Sequence, residues 1–454
     1  MKKQILFYMI FFLVFFSIIN SIFAEPIIDP EVLDQFNHSK WVTVEVTLNS
    51  LGNKSLNLGL QSDILSSLTD KEFRLSYTSL RGRGFSGNIT LEGIKKLKNN
   101  PNVLRVYLPI FGGTSLQQSL PLINATKVWN LSYTGKGQTI CVIDSGINYT
   151  HPNLGNCIRT NNISDGVCNK VIGGYDFYNT DADPYDDYSH GTHVAGIVAA
   201  NGTLNGTAPY SKIVAVKVTN NQGNWNGLDL AEGIDWCNDN KNRYNISVIT
   251  ISLGTFDLYN NATICDTTLV GISANEAYNN GIFIDASSGN NANLTHMTLP
   301  ACASNVTSVG SVYDSEVGAK SFCTQVNGSG NCIKFCSDIT TYTDKMSCFT
   351  NRGLNLDLLA PGSVINSTYI DGAYFKDSGT SMAAPHVAGA AALLLEADPT
   401  LTPNQIKTIL QDKGKPVQDI FDGCQVGIQC TNLTFKRINV LEAVNSFKWN
   451  YEKG

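Results

Sequence analysis

Three short stretches carry residue types that can do chemistry together: "VIDSGI" (142–147), "HGTHVAGI" (190–197) and "GTSMAAPHVAGA" (379–390). Asp144 ends an apolar run that reads as a strand. Open parallel sheets hold ligands outside the carboxyl ends of their strands, so a carboxylate there can orient a histidine. The same residue also suits a turn before Ser-Gly. His190 precedes a run of small residues that reads as a helix, and His193 follows on the same side one turn away. Either can act as a base; His193 is read as a satisfied core histidine. Ser381 heads an expected helix over 381–396, with Pro385 in the first turn, where a missing N–H costs little. A helix start offers free N–H groups and positive potential, which suit an oxyanion. Ser381 as an ordinary N-cap is the competing reading. "ASSGNN" (286–291) ends another strand and sets Asn290 where its amide can donate to the same oxyanion.

These residues need elements that bring them together. From about residue 120, near-continuous apolar strands are expected at 137–144, 211–218, 246–254, 281–289 and 306–313, with helices at 191–200, 227–238 and 267–279. That alternation predicts an α/β unit whose parallel sheet is covered by helices on both faces. Asp144, His190, Asn290 and Ser381 then each fall at a strand end or helix start on the side where such a sheet carries its site. Residues 25–115 differ in texture. Strands at 41–48, 72–79, 83–91 and 103–109 and helices at 60–68 and 91–100 follow the β-α-β-β-α-β order of a small α+β ferredoxin-like unit. Gly and polar residues over 110–119 read as a linker.

Composition narrows the function classes. The 454 residues are 43% hydrophobic and 15% charged, which suits two or three domains with a sizeable core. The net charge of −6 has no like-charge block, so a nucleic-acid partner is not expected. Lys2 and Lys3, the apolar run from Ile5 and Ala24 before Glu25-Pro26 read as a signal peptide over 1–24. An uncleaved anchor is the competing reading, because the uncharged run reaches Phe23. Secretion fits the twelve cysteines, all between Cys141 and Cys430, an even set that implies disulfides. Spacing pairs Cys157 with Cys168 and Cys424 with Cys430. Cys323, Cys332, Cys336 and Cys348 pair among themselves; a zinc site there lacks CxxC and a nearby His. Cys265 is paired with Cys302, and Cys141 and Cys237 remain as unpaired core thiols. Sixteen N-x-S/T sequons run from Asn37 to Asn432 and are glycan acceptors in an exported glycoprotein.

The blocks "VIDSGI", "HGTHVAGI", "SLG" (252–254), "SGN" (288–290) and "GTSMAAPHVAGA" resemble the signature blocks of subtilisin-like serine proteases, in order and spacing over about 120–447. A GxSxG elbow is absent around Ser381, which argues against an α/β-hydrolase. The resemblance implies a serine endopeptidase in which Asp144 orients His190, His190 takes the proton of Ser381, and Ser381 forms an acyl-enzyme, with Asn290 in the oxyanion hole. It implies that Gly223 and Asn224 on one side, and Leu253 and Gly254 on the other, pair with an extended peptide. Ser287, Ser288 and Gly289 would wall the first specificity pocket, with a polar lining where the family carries Ala. Thr298 to Pro300 would shape its base. Residues 25–115 resemble the family's inhibitory propeptide, cut away somewhere in 110–120, before a catalytic unit over 116–454. Peptide and protein substrates and its own propeptide are the implied partners of a monomer free of the membrane once the signal is removed. No cofactor is needed for catalysis. Structural calcium is the one metal the resemblance raises, with Asp181, Asp183, Asp186 and Asp187 as oxygen donors; a solvated acidic loop is the competing reading.

Overall fold

The computed structural model describes residues 26–451, except 38, 50–52, 80–81, 108–115, 159–162, 164–167, 327–330 and 422–423. The expected signal peptide over 1–24 therefore lies outside the described residues. Among the described residues no helix is long and apolar enough to cross a membrane. The chain divides into two compact units, with the boundary between Gly112 and Gly113.

In the first unit, a two-residue strand β1 (Ile27–Ile28) and a short helix α1 (Pro30–Gln35) precede the expected elements. These are β2 (Val42–Leu48), α2 (Lys54–Ser66), β3 (Phe73–Thr78), β4 (Gly84–Ile89), α3 (Leu91–Lys98) and β5 (Val103–Tyr107). The strand order β1-β5-β2-β4-β3 contains the ferredoxin-like arrangement, with β2 pairing antiparallel to both β4 and β5. Strand β2 alternates because one face is buried: Val42, Val44, Val46 and Leu48 meet Phe73, Phe85, Ile94 and Leu97 in one core. Helix α2 begins six residues before its expected start, since Asn53 caps it by accepting from the Ser55 and Leu56 N–H groups.

The second unit opens with helix α4 (Leu116–Leu122), where a linker was expected over 110–119. Leu116 and Leu120 are buried in the main core and override the loop-like composition. A nine-stranded sheet follows. Its strands that matter here are β6 (Thr139–Asp144), β7 (Val171–Asp176), β8 (Lys212–Lys217), β9 (Ile246–Ile251), β10 (Phe283–Ser287), β11 (Thr307–Val312) and β12 (Leu358–Pro361). They stand in the order β12-β11-β10-β9-β6-β8-β7, parallel throughout, and a two-stranded antiparallel edge continues beyond β12. Helices α5 (His190–Ala199) and α8 (Thr380–Ala397) join the core on one face; α6 (Gly227–Asp239) and α7 (Leu269–Asn279) join that on the other. The parallel α/β architecture follows from those strands: all six residues of β6 are buried, as burial on both faces requires. Strand β7 and the strands at 358–361, 415–418 and 434–437 lay outside the expected set.

Six disulfides are present. Five agree with the expected pairing, the quartet resolving as Cys323–Cys332 and Cys336–Cys348. The sixth corrects it. Cys141 and Cys237 are not free thiols but bonded to each other, with their Cα atoms 6.4 Å apart. Cys141 leaves β6 on the face that α6 covers, and Cys237 is one of the buried residues of that helix. A separation of 96 residues hides this contact from any local pattern. The bond joins the strand that ends at Asp144 to the helix packed behind it. Replacing both cysteines by Ala is expected to cost about 2–4 kcal/mol of stability, measured as a lower unfolding midpoint; an unchanged midpoint contradicts the bond.

Candidate active site

Strand β6 delivers Asp144 to the carboxyl edge of the sheet, fully buried. Helix α5 starts at His190, and its ring reaches back so that Nδ1 lies 2.7 Å from Asp144 Oδ1. The same oxygen accepts the Ser145 N–H at 2.7 Å, while Oδ2 is buried with no partner. The imidazole is thus the one side-chain partner of Asp144 among the described hydrogen bonds. Burial pulls the His190 pKa down, but the charge and hydrogen bond of Asp144 outweigh it, and the pKa is raised to about 9. His193 is buried, as expected of a core histidine, with Nε2 2.9 Å from the Phe375 carbonyl and 3.1 Å from that of Ile365. Burial lowers its pKa to about 4.

Asp186 holds these two loops in register. It is buried, and its Oδ1 accepts from the Ser145 hydroxyl and from the Tyr188 and Ser189 N–H groups at 2.8–2.9 Å. Its Oδ2 accepts from the Thr192 N–H and hydroxyl. Ser145 Oγ in turn accepts the Gly191 N–H at 2.9 Å. The residues following Asp144 and those flanking His190 thus share one acceptor. This also holds Ser189 at φ 94°, a left-handed conformation rare for serine. Burial raises the Asp186 pKa in spite of these donors.

The calcium expectation does not fit these surroundings. Asp183 accepts from the Tyr149 hydroxyl, Asp186 is committed to five donors, and Asp187 pairs with Lys217 at 2.6 Å. Asp181 accepts the Asp183 N–H at 2.8 Å. Among the described residues no three acidic, His or Cys side chains converge as a metal would need.

Ser381 is the second residue of α8, two positions further in than the N-cap, which Gly379 holds. Pro385 therefore falls beyond the first turn, a correction with a consequence. It has no N–H to give to the carbonyl four residues back, which is that of Ser381. The Ser252 hydroxyl takes that carbonyl instead, at 2.8 Å, and the Ser381 hydroxyl donates to the Ser252 carbonyl at 3.0 Å. The helix start is thereby tied to the end of β9. In this rotamer the Ser381 proton goes to Ser252 rather than to His190. Asn290 is exposed just beyond β10, and its Oδ1 accepts the Thr380 N–H and hydroxyl, both at 2.9 Å. A main-chain donor fixes the amide orientation, so the Nδ2 side is turned away from Thr380.

Asp144, His190, Gly223, Asn224, Leu253 and Gly254 border one groove with a cavity of about 460 Å³, and Ser252 lies on it too. Tyr188, Trp225, Phe256 and Leu299 are among the other residues that line it. Sequence reasoning singled out neither Tyr188 nor Phe256, because their exposure, 43% and 90%, is set by the fold. The edge at 223–225 is partly self-bonded: the Asn224 N–H donates to Asn220 Oδ1 and its carbonyl accepts the Asn220 N–H, both at 2.9 Å. Ser287, Ser288 and Gly289 do not border this cavity. Their expected polar lining is corrected as well, since the Ser288 hydroxyl donates to the Asn351 carbonyl at 2.9 Å and that of Ser287 to Leu253 at 3.4 Å. Thr298 sits between the two expected walls: a Cβ on Gly254 or Gly289 would lie within 2.6–2.7 Å of its side chain.

A carboxylate-paired imidazole on the groove, a helix-start serine bonded to the groove residue Ser252, and an exposed amide bonded to Thr380 are groups that can support acyl transfer. The sequence profile of the Subtilase family matches residues 135–427, which hold all four groups. The chain belongs to the subtilase family. A thermophilic serine proteinase of Bacillus sp. (strain AK1) is 37% identical over 59% of this subtilase and 54% of its own length. Serine protease AprX of Bacillus subtilis (strain 168) is 32% identical over 62% and 61%. The subtilase thus spans little more than half the length of these two relatives. Subtilisin E of Bacillus subtilis (strain 168) is 31% identical over 70% of this chain and 72% of its own. A crystal structure of a cold-adapted subtilisin-like serine proteinase aligns at a TM-score of 0.49 and 28% identity, over 67% of this chain and 89% of that one.

Replacing Asp186 by Ala strips five donors of a buried acceptor. It is expected to destabilise the subtilase by about 3 kcal/mol or more, read as a lower denaturation midpoint. A shift as small as that of an exposed Asp412→Ala control would contradict the role given to Asp186.

Proposed function

We propose that this subtilase is a secreted serine endopeptidase, made as a zymogen and matured by its own activity. The observation that carries the reading is the 2.7 Å contact of His190 with Asp144 at the groove that also holds Ser252, to which Ser381 is doubly bonded. A peptide lies extended between the 223–225 and 252–254 edges, with its scissile carbonyl at Ser381. A turn about the Ser381 side chain moves its hydroxyl from Ser252 to His190. Neutral His190 takes the proton as Oγ attacks the carbonyl carbon. The tetrahedral oxyanion is met by Asn290 Nδ2 and the Ser381 N–H at the start of α8. Asp144 stabilises the imidazolium so formed, which then protonates the leaving amine. Water deacylates the serine by the same base. No cofactor enters this chemistry.

The ferredoxin-like order of the first unit supports its role as the inhibitory propeptide. The cut precedes Leu116, because Leu116 and Leu120 are core residues of α4. Export is supported by the charged, then apolar, amino terminus and the six disulfides. The Ser381 hydroxyl resting on the Ser252 carbonyl is the one observation on the side of a peptide-binding protein without turnover.

Ser381→Ala decides between the two readings. The full chain is expected to shed a piece of about 10 kDa, on the scale of a small domain, and to hydrolyse casein. The Ala variant should do neither, with kcat lower by about 10⁶, the loss typical when a subtilisin loses a group that acts as part of its triad. A wild-type chain that stays whole and inert sinks the protease reading. The base must be neutral to act, so kcat/KM should rise with pH through the His190 pKa, raised to about 9. Asp144→Asn removes the charge that raises it, so the residual activity should titrate at lower pH. A limb that does not move in the pH profile argues against His190 as base.

A further inference from the structure

Asn290 is exposed and stands outside the sheet, beyond the last residue of β10. Its Oδ1 rests on Thr380. A Cβ placed on Gly379 would lie 3.2 Å from Asn290 Nδ2 and 3.6 Å from the Ser381 nitrogen, so these two donors flank one point at the start of α8. The turn that carries Asn290 is held by a segment remote in sequence, 349–352.

Asn351 is the centre of that hold and is fully buried. Its main-chain N–H donates to the Gly289 carbonyl, and its own carbonyl accepts the Ser288 hydroxyl, both at 2.9 Å. Its side chain serves the residues after Asn290. Oδ1 accepts the N–H groups of Asn291 at 2.9 Å and Asn293 at 3.1 Å, and Nδ2 donates to Asn291 Oδ1 at 3.0 Å. One residue thus brackets Asn290 from both sides with five hydrogen bonds. Main-chain bonds from Ala292 to Phe349 (2.8 Å) and from Arg352 to Asn293 (2.7 Å) continue the pairing. Gly289 has φ 105°, and a Cβ there would collide with Asn351 Nδ2, so only glycine admits the bracket this closely.

The segment is itself fixed from behind. Arg352 is buried, with Nε donating to the Thr350 carbonyl at 3.0 Å and Nη2 to those of Ser347 and Cys348 at 3.2 and 3.1 Å. Its Nη1 pairs at 2.5 Å with the buried Asp419, whose other oxygen accepts the Thr431 N–H and hydroxyl at 2.7 and 2.8 Å. Displacing such a pair strands buried charge, so the bracket has a firm base. No residue of 349–352 borders the groove cavity.

We infer that Asn351 is a positioning residue of the reaction: it sets the 288–293 turn so that the Asn290 amide is aimed at the oxyanion before that charge develops. This rests on the protease reading and on the role given there to Asn290. A donor fixed in advance needs no reorganisation when the charge forms. A loosened donor must be ordered in the transition state, so its loss falls on kcat rather than KM.

A double-mutant cycle on the full chain tests this. kcat and KM for an internally quenched peptide are compared in wild type, Asn351→Ala, Asn290→Ala and the double variant, per site titrated with a serine-directed phosphonate. Asn290→Ala is expected to lower kcat by about 10²–10³, the loss when a subtilisin is deprived of an oxyanion-hole donor. Asn351→Ala should lower kcat by about tenfold or more while KM stays within about twofold, because a slightly misplaced group forfeits rate. Affinity for a peptide boronate, whose adduct with the serine hydroxyl is tetrahedral, should fall by the same factor. In the Asn290→Ala background the further loss should shrink to less than about twofold, since the group being positioned is gone. Asn291→Ala removes one bond of the bracket at a half-buried site and should give the same pattern at smaller size. It carries the cycle if Asn351→Ala does not fold. Equal losses in both backgrounds, or a loss confined to KM, mark a merely structural residue and overturn the inference while the protease reading stands. Undiminished kcat in Asn290→Ala removes the role of Asn290 and the inference with it. A wild-type chain that hydrolyses neither the peptide nor casein removes the protease reading as well.

Discussion

The parallel register of three neighbouring strands is the constraint on which the rest of this molecule depends. Ile143 on β6 pairs with Ile251 on β9, and Ile251 aligns next to Ala286 on β10. Their carboxyl ends are therefore level, and Asp144, Ser252 and the Ser287–Asn290 turn leave the sheet along one edge. A slip of one residue would move every side chain of a strand to the opposite face of the sheet, exchanging what packs against the two sets of helices. Every distance in the site inherits its accuracy from this alignment. The Cys141–Cys237 bond adds a covalent tie between β6 and the helix behind it.

Two polar devices then attach the helices to that edge. Asp186 gathers donors from the loop after Asp144 and from both sides of His190, so the start of α5 cannot move apart from the end of β6 without stranding a buried carboxylate. Ser252 does the same for α8, with a reciprocal pair of hydrogen bonds to Ser381. Pro385 makes this second device feasible by leaving the Ser381 carbonyl unclaimed within the helix. A residue expected merely to be tolerated thus frees the acceptor by which the serine is located.

Electrostatics around His190 follows from the same packing. The ring is drawn toward the neutral form by burial and toward the charged form by Asp144, and the carboxylate prevails. His193, on the same helix and also buried, has carbonyls instead of a carboxylate against its ring and moves the other way. Two histidines three residues apart are thereby given opposite protonation states by their neighbours alone.

Much of this was legible in the sequence. The apolar runs gave the central strands, because burial on both faces leaves near-continuous Val and Ile. The three motif blocks and Asn290 were legible as strand-end and helix-start residues, since glycine, small residues and strand ends are local features. The ferredoxin-like order was readable from alternation in β2 and the spacing in α3. Other features were decided by contacts between residues far apart. The 116–119 stretch has a linker's composition, yet Leu116 and Leu120 find a core to enter. Cys141 and Cys237 carry no local sign of pairing. Asp183, Asp186 and Asp187 read as one acidic cluster, and the tertiary structure sends each to a different partner. The hydroxyls of Ser287 and Ser288 turn inward because main-chain acceptors wait there. Sequence spacing determines which residues lie at a strand end or helix start, a property of a few neighbours in the chain. Which partner a polar side chain takes depends on segments brought up by the fold, and that is why only the tertiary structure decided it.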